Sequence, residues 1–252
     1  MRAARRLARR TSRAEHGLFL AEGPQAVREA LTVPGLVREV FALPGRHEEL
    51  RAAAGDMPWL LADEAALAAL SDTVHPQGVV AVCRLVDVAL DDALAVHPRL
   101  VAVCADIRDP GNAGTVIRCA DAAGAGAVVL AGDTVDPHNG KAVRASAGSL
   151  FHLPVAVERD AATAVRRLRA AGLTVLATAG GGELDLDDAA DSGVLASPTA
   201  WLFGNEAHGL SPELAGLADH RVRIPIHGRA ESLNLATAAA VCLYASARAH
   251  RR

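Results

Sequence analysis

A chain of 252 residues and 26.0 kDa is long enough to bury a core in one large or two modest domains, which excludes a disulfide-stapled mini-protein. Its cysteines, Cys83, Cys104, Cys119 and Cys242, are too far apart to spell a disulfide framework or a zinc ribbon, so a reduced, cytoplasmic protein without metal is expected. With 26 basic against 29 acidic residues and a net charge of −3, the total gives no sign of a phosphate-binding surface, which ordinarily carries excess positive charge.

Short Val/Leu-rich runs alternate with Ala/Leu/Arg segments of helical period, the pattern of an α/β protein with a largely parallel sheet. The first part predicts a basic helix near 1–10, a strand at 18–21, a helix at 24–31 and a strand at 36–42. A helix near 45–54, a strand at 59–61, a helix at 63–70 and a strand at 79–85 complete a small unit within residues 1–90. The acidic stretch 87–98 ends in Pro98 and reads as a linker. From residue 98 the pattern restarts: strand 100–104, helix 113–123, strand 127–130, helices 139–147 and 161–171, strands 173–177, 201–203 and 221–224, and a final helix over 233–250.

Charge follows this plan unevenly. Residues 1–13 hold six arginines and no acid, residues 14–98 five arginines against 13 acids, and the remainder sums to −1. Only local charge meets a phosphate. Arg5, Arg6, Arg9 and Arg10 are therefore candidate phosphate contacts, the alternative being a frayed, solvated helix. No apolar stretch of signal-peptide type follows this basic start, and no run of 18 apolar residues occurs, so neither secretion nor a membrane span is expected.

Three polar segments fall where parallel strands end, the place at which open α/β sheets bind ligands. In Asp109-Pro110-Gly111-Asn112, Asn112 can cap the following helix, and Arg118 stands six residues on with a guanidinium able to fork onto an anion. In Phe203-Gly204-Asn205-Glu206-Ala207-His208-Gly209-Leu210-Ser211, a tight loop presents backbone amides and a carboxylate. Such a loop suits an uncharged or cationic ligand better than a phosphate. In Ile224-Pro225-Ile226-His227-Gly228-Arg229-Ala230-Glu231-Ser232-Leu233-Asn234, a strand leads through a basic loop into an Ala-rich helix, with Ser232 as its simplest N-cap. A weaker Gly-rich loop, Gly180-Gly181-Gly182-Glu183, follows Thr178. His152 and His208 lie close to these loops and read as structural.

Taken in order, Asn112 with Arg118, then Phe203-Gly204-Asn205-Glu206 with Gly209-Leu210-Ser211, then Ile224-Pro225-Ile226 with Ser232-Leu233-Asn234, resemble the three motifs of the SpoU (TrmH-type) RNA 2′-O-ribose methyltransferases of the SPOUT superfamily. Upstream, Leu18-Phe19-Leu20-Ala21-Glu22-Gly23-Pro24 and Gln77-Gly78-Val79-Val80 resemble the small substrate-binding domain that precedes the catalytic domain in many members. The resemblance implies a small α/β RNA-binding domain over 1–90 with a basic arm, and over 98–252 a SPOUT-type parallel sheet with a C-terminal trefoil knot, in a homodimer. It implies S-adenosyl-L-methionine held at the knot by Thr178, Phe203, Gly204, Asn205, Gly209, Ile224, Ile226 and Leu233. Its catalytic set would be Arg118, Asn112, Glu206, Ser232 and Asn234. In this set Arg118 clamps the target phosphate, Asn112 orients Arg118 or the ribose, Glu206 fixes the loop or Arg118, and Ser232 and Asn234 bond near the methyl acceptor. Lys141, Arg144 and Arg229 would join the arm in facing RNA. The chain departs from the pattern at Ala207, where Gly is frequent, at Ile226, where Met is common, and at Ala236-Thr237, which replaces Ser-Val.

The implied activity is 2′-O-methylation of RNA, with 23S rRNA favoured by the two-domain layout. A transfer-RNA enzyme and an antibiotic-resistance rRNA methyltransferase fit the same motifs, and a catalytically silent RNA-binding protein is the alternative of another class. A nicotinamide enzyme fits poorly, because no strand leads into GxGxxG.

Overall fold

The computed structural model describes residues 1–71, 73 and 75–251. In chain order its elements are α1 Arg2–Arg6, α2 Arg10–His16, β1 Leu18–Glu22, α3 Pro24–Thr32, β2 Val37–Ala42, α4 Glu48–Ala54, β3 Trp59–Leu61, α5 Glu64–Ala68 and β4 Val79–Arg84. There follow β5 Asp87–Val88, α6 Leu90–Ala95, β6 Leu100–Ala105, α7 Pro110–Ala122, β7 Ala127–Ala131, α8 Gly140–Ser146, β8 Val155–Glu158, α9 Ala161–Ala170 and β9 Thr174–Thr178. The chain closes with β10 Leu184–Asp185, α10 Leu186–Asp191, β11 Thr199–Phe203, α11 Pro212–Ala215, β12 His220–Arg223 and α12 Leu235–Ala249. They form two compact units, Met1–Val86 with Asp136–His152, and Asp87–Val135 with Leu153–Arg252. The division differs from the expected 1–90 and 98–252 in that α8 and its flanks pack with the first unit.

The first unit is a four-stranded sheet in the order β1-β4-β2-β3, antiparallel except for the β2–β3 pair. The basic N-terminus is part of this unit. Ala4 and Leu7 are buried with Leu20, Phe41, Leu67 and Val82, and Arg13 is buried to 4% exposure. The expected single helix near 1–10 is two, for a visible reason: the Arg13 guanidinium takes the Leu7 and Ala8 carbonyls, each at 2.9 Å, which a continuing helix would need for its own i→i+4 bonds. Arg13 also donates to Asp136 Oδ2 at 2.6 and 2.9 Å, and Asp136 neighbours the buried His138. Burial alone would raise the Asp136 pKa, but bonds from His138 and Arg13 outweigh it and hold the carboxyl far below the usual range.

The second unit carries eight parallel strands in the order β10-β12-β9-β11-β6-β7-β8-β5. Residues 87–98 are not a linker: β5 pairs with β8, and α6 buries Leu90, Ala93 and Leu94 in the core. Their i, i+3, i+4 spacing is a helical face hidden among acids. Strands β8 and β10 and helices α10 and α11 add to the elements expected. The Ala-rich α12 packs on α7 and on β11, its small side chains permitting close approach, and the Trp201 indole donates to Ser246 at 2.9 Å in that buried contact. From β6 the chain steps outward through β7 and β8, then returns to the other side at β9 and β11. The strand order therefore reverses between β6 and β11, and such a reversal opens a crevice at the strand C-termini.

Candidate active site

The loop after β11 forms a narrow return in which Asn205 and Gly209 exchange backbone hydrogen bonds at 3.0 and 2.8 Å. Gly209 takes the left-handed conformation at φ 68°. A Cβ on Gly204 would lie 2.6 Å from the Gly209 carbonyl oxygen, so that position admits only glycine. Ala207 keeps a negative φ and donates its N–H to Asn205 Oδ1 at 2.9 Å. The departure from Gly at 207 thus costs the loop nothing.

This loop carries Glu206 to the start of α7. Its carboxylate accepts from the backbone N–H of Arg108 at 3.3 Å and of Asp109 at 3.2 Å, and from Asn112 Nδ2 at 3.1 Å. Partial burial pushes the Glu206 pKa up, and the bonds from Asn112 and these backbone groups more than reverse it, leaving the pKa below its ordinary value. The cap of α7 is Asp109, accepting from Asn112 N at 2.8 Å, and not Asn112. Pro110 at the first helical position fixes that register.

Because a carboxylate can only accept, Glu206 turns the Asn112 amide nitrogen toward itself and the Asn112 oxygen away. That oxygen accepts from Asn234 Nδ2 at 3.2 Å, and Asn234 Oδ1 in turn caps α12, accepting from Ala236 N at 2.9 Å and Thr237 N at 3.3 Å. The three motifs are joined in one hydrogen-bond chain of fixed direction, from the first turn of α12 to the first turn of α7. Asn234, and not Ser232, is the N-cap of the final helix, which begins two residues later than expected.

Beside this chain lies a cavity of about 590 Å³. Thr178, Phe203, Gly204, Asn205, Gly209, Ile224, Ile226 and Leu233 all line it, as do Glu206, Ser232 and Asn234. Its lining includes the acidic residues Glu206 and Glu231 and no Lys or Arg among the described residues, so it favours a ligand carrying positive charge over a phosphate. The Thr178 hydroxyl is held by the Leu202 carbonyl at 3.1 Å. Gly180 reaches the cavity, whereas Gly182 is small for β12: a Cβ there would lie 2.6 Å from the Arg221 carbonyl oxygen. Glu183 is likewise committed to that strand, accepting from the Arg221 backbone and guanidinium at 3.0 and 2.8 Å.

Other candidates fall elsewhere. Arg118 sits on the exposed side of α7, outside the cavity lining, and pairs with no carboxylate among the described residues. Six residues of helix place it roughly 9 Å along the axis from Asn112. Arg229 is exposed on the loop before α12. Arg5 and Arg6 on α1, Arg9 at the N-cap of α2 and Arg10 on α2 are exposed, and Lys141 is exposed on α8. Arg144, expected to face RNA, donates from its guanidinium to the buried Glu22 at 2.8 Å. Sequence reading missed Asp109 and the whole Glu22 assembly; the proline at 110 was the available signal for the first, and nothing local signals the second.

The family model described as the SpoU rRNA Methylase family matches residues 99–244. The chain belongs to this family. A second model, the MRM3-like substrate binding domain, matches residues 1–81. The chain is 36% identical over 240 residues to the 23S rRNA (guanosine(2553)-2'-O)-methyltransferase RlmP of Bacillus subtilis, covering 95% of this chain and 92% of that protein. Among solved structures it resembles the AdoMet-bound rRNA methyltransferase from Sinorhizobium meliloti, with TM-score 0.84, 34% identity, and coverage of 98% and 93%. It also resembles the SpoU methyltransferase AviRb from Streptomyces viridochromogenes in complex with AdoMet, with TM-score 0.85, 30% identity, and coverage of 98% and 96%. The parallel sheet of this chain is accordingly that of a SPOUT methyltransferase.

Proposed function

We propose that this SpoU-family protein transfers a methyl group from S-adenosyl-L-methionine to a ribose 2′-hydroxyl of 23S rRNA. The observation that carries the reading is the directed Glu206–Asn112–Asn234 chain beside a glycine-walled cavity with acidic and no basic lining. That cavity fits the cofactor: Gly204 and Gly209 line it without side chains, and Glu206 and Glu231 are its acidic residues, suited to a sulfonium. Thr178, Phe203, Gly204, Asn205, Gly209, Ile224, Ile226 and Leu233 would hold it. When bound, it supplies an electrophilic methyl group.

The chain's own residues have to place the nucleophile and manage its proton. Asn112 and Asn234 are fixed in orientation before RNA arrives, so the remaining amide hydrogens have set directions and cost no reorganisation. Ser232 offers a hydroxyl on the same wall. Arg118 is a poor base, and its exposed guanidinium serves to hold the phosphate beside the target ribose, which together with it polarises the 2′-hydroxyl. Glu206 acts as the brace that ties the β11 loop to α7.

A homodimer belongs to this reading. Ile226, Leu233, Val241 and Tyr244 are exposed large apolar residues clustered on α12 and its entry loop, a patch of the kind that marks an interface. The C-terminal segment closing the cavity is read as a trefoil knot. No helix among the described residues is long and apolar enough to cross a membrane, and the protein is proposed to act in the cytoplasm on ribosomal RNA. Labelled methyl transfer to 23S rRNA, with ribose marks mapped in the presence and absence of the protein, tests the function. Marks on transfer RNA alone would replace the proposed substrate, and none on any RNA would remove the proposal.

A further inference from the structure

The first unit contains a pocket of about 320 Å³ lined by Glu22, Gln25, Ala26, Thr73, His75, Gln77, Arg144 and Ala147. At its base Glu22 is only 8% exposed, and among the described residues its carboxylate is bonded by side chains. It accepts from the hydroxyls of Ser71 and of Thr73, the latter at 2.6 Å, and from Arg144 Nη1 at 2.8 Å. The buried carboxylate and the guanidinium therefore offset each other. Among the described residues, what faces the opening can both donate and accept and adds no further carboxylate, Lys or Arg: the Gln77 amide, the His75 imidazole and the remaining N–H groups of Arg144. Neither Gln77 nor His75 makes a side-chain hydrogen bond with any described residue, although both are exposed.

We infer that this pocket binds one unpaired nucleobase of the RNA substrate, away from the methylated ribose, and so contributes to choosing the site. The inference rests on the RNA methyltransferase reading and gives its substrate-binding unit a specific contact. A phosphate would demand net positive charge, which the Glu22–Arg144 pair removes. A base demands what is present: an edge-reading amide that can make paired hydrogen bonds, and a guanidinium plane or imidazole on which to stack. Glu22 fixes Arg144 in advance, so little side-chain freedom is lost on binding.

The Gln77 amide lies against the strand-to-helix turn. A Cβ on Gly23 would come within 2.5 Å of Gln77 Oε1, and Gly23 has φ 93°, a conformation that favours glycine. The phosphates flanking the base have partners nearby. A second hollow shares Glu22 and Arg144 with the pocket and is lined by Leu7, Ala8 and Arg13, so the helices bearing Arg5, Arg6, Arg9 and Arg10 adjoin the same ion pair. Backbone-holding arginines beside a neutral base pocket divide the labour as RNA-binding modules do, with phosphate contacts positioning and base contacts specifying.

The test is chemical footprinting of 23S rRNA with the full-length protein without cofactor, followed by an abasic substitution at the protected base in a short RNA spanning it. The wild-type protein should shield the Watson–Crick edge of one unpaired base distinct from the methylated nucleotide. The variant His75→Ala/Gln77→Ala, truncated at exposed positions, should lose that protection and bind the RNA roughly tenfold more weakly. The abasic RNA should cost the wild type as much and the variant nothing further, the coupling expected of a base seated against these side chains. Equal losses from the abasic change in both proteins, or retained protection in the variant, overturn the inference. So does a loss in the variant that is the same for intact and abasic RNA, which would assign the pocket to the backbone. Binding is read without methyl transfer, so failure of the activity itself shows separately in the labelled assay.

Discussion

Two glutamates, Glu206 and Glu22, each sit beside a cavity and gather hydrogen bonds from residues distant in sequence, yet they leave opposite electrostatics behind. Glu206 takes backbone N–H groups and one amide, has no cationic partner among the described residues, and belongs to a cavity lined also by Glu231 and by no described Lys or Arg. Glu22 takes two hydroxyls and a guanidinium and is neutralised. An uncompensated carboxylate selects a cation; a compensated one serves to orient its partner. The same residue type thus equips one unit for a sulfonium and the other for a neutral, edge-reading ligand.

The largest effect is expected where the catalytic side of that comparison meets RNA. Arg118→Ala should lower methyl transfer by about 10²–10⁴-fold, the range of a group positioned for proton transfer or charge stabilisation, while calorimetric affinity for S-adenosyl-L-methionine stays unchanged. Asn112→Asp breaks the directed chain by setting a carboxylate against Glu206. Two adjacent carboxylates raise the pKa of one of them, and below that raised pKa the protonated member can donate to the other. The variant should therefore be weakest at alkaline pH and recover as pH falls, and a flat rate deficit across the pH profile would contradict the chain's role.

The structural counterpart in the first unit is the Arg13–Asp136 pair, with side-chain exposures of 5% and 14%. Asp136→Asn should destabilise this unit by about 3 kcal/mol in urea melts, because it strands a buried guanidinium. The Asp136 carboxyl has its pKa lowered in the folded state, so its contribution is full above the ordinary aspartate pKa of about 3.9 and is lost as pH falls through the depressed value. The wild-type advantage over the variant should accordingly shrink in acid. The smallest effect concerns phosphate: replacing Arg5, Arg6, Arg9 and Arg10 together by Gln should flatten the salt dependence of RNA binding by about 3 in log–log slope. An unchanged slope would confine RNA contacts to other surfaces.

The second unit was largely legible in the sequence because its chemistry sits in contiguous loops at strand ends. Phe203-Gly204-Asn205-Glu206 and Ser232-Leu233-Asn234 announce themselves, and the cavity their residues line follows from one sheet crevice. The errors there were of register: Asp109 caps α7 in place of Asn112, and Asn234 caps α12 in place of Ser232, since any Asx or Ser side chain satisfies the same backbone donors. The first unit was less legible. Glu22 meets Ser71, Thr73 and Arg144 across separations of 49, 51 and 122 residues, and no local pattern encodes such a meeting. The basic N-terminus reads as an arm, phosphate-seeking or frayed, because arginines outnumber Ala4 and Leu7 as signals, although those two residues are what dock it. Residues 87–98 read as a linker because Asp and Pro masked a three-residue apolar face.

The most direct measurement is liquid-chromatography mass spectrometry of nucleosides from 23S rRNA treated with the protein and methyl-labelled S-adenosyl-L-methionine. Label is expected on a single 2′-O-methylated ribose and is expected to be absent with Arg118→Ala. Label on a base, or no ribose label with cofactor demonstrably bound, would contradict that expectation.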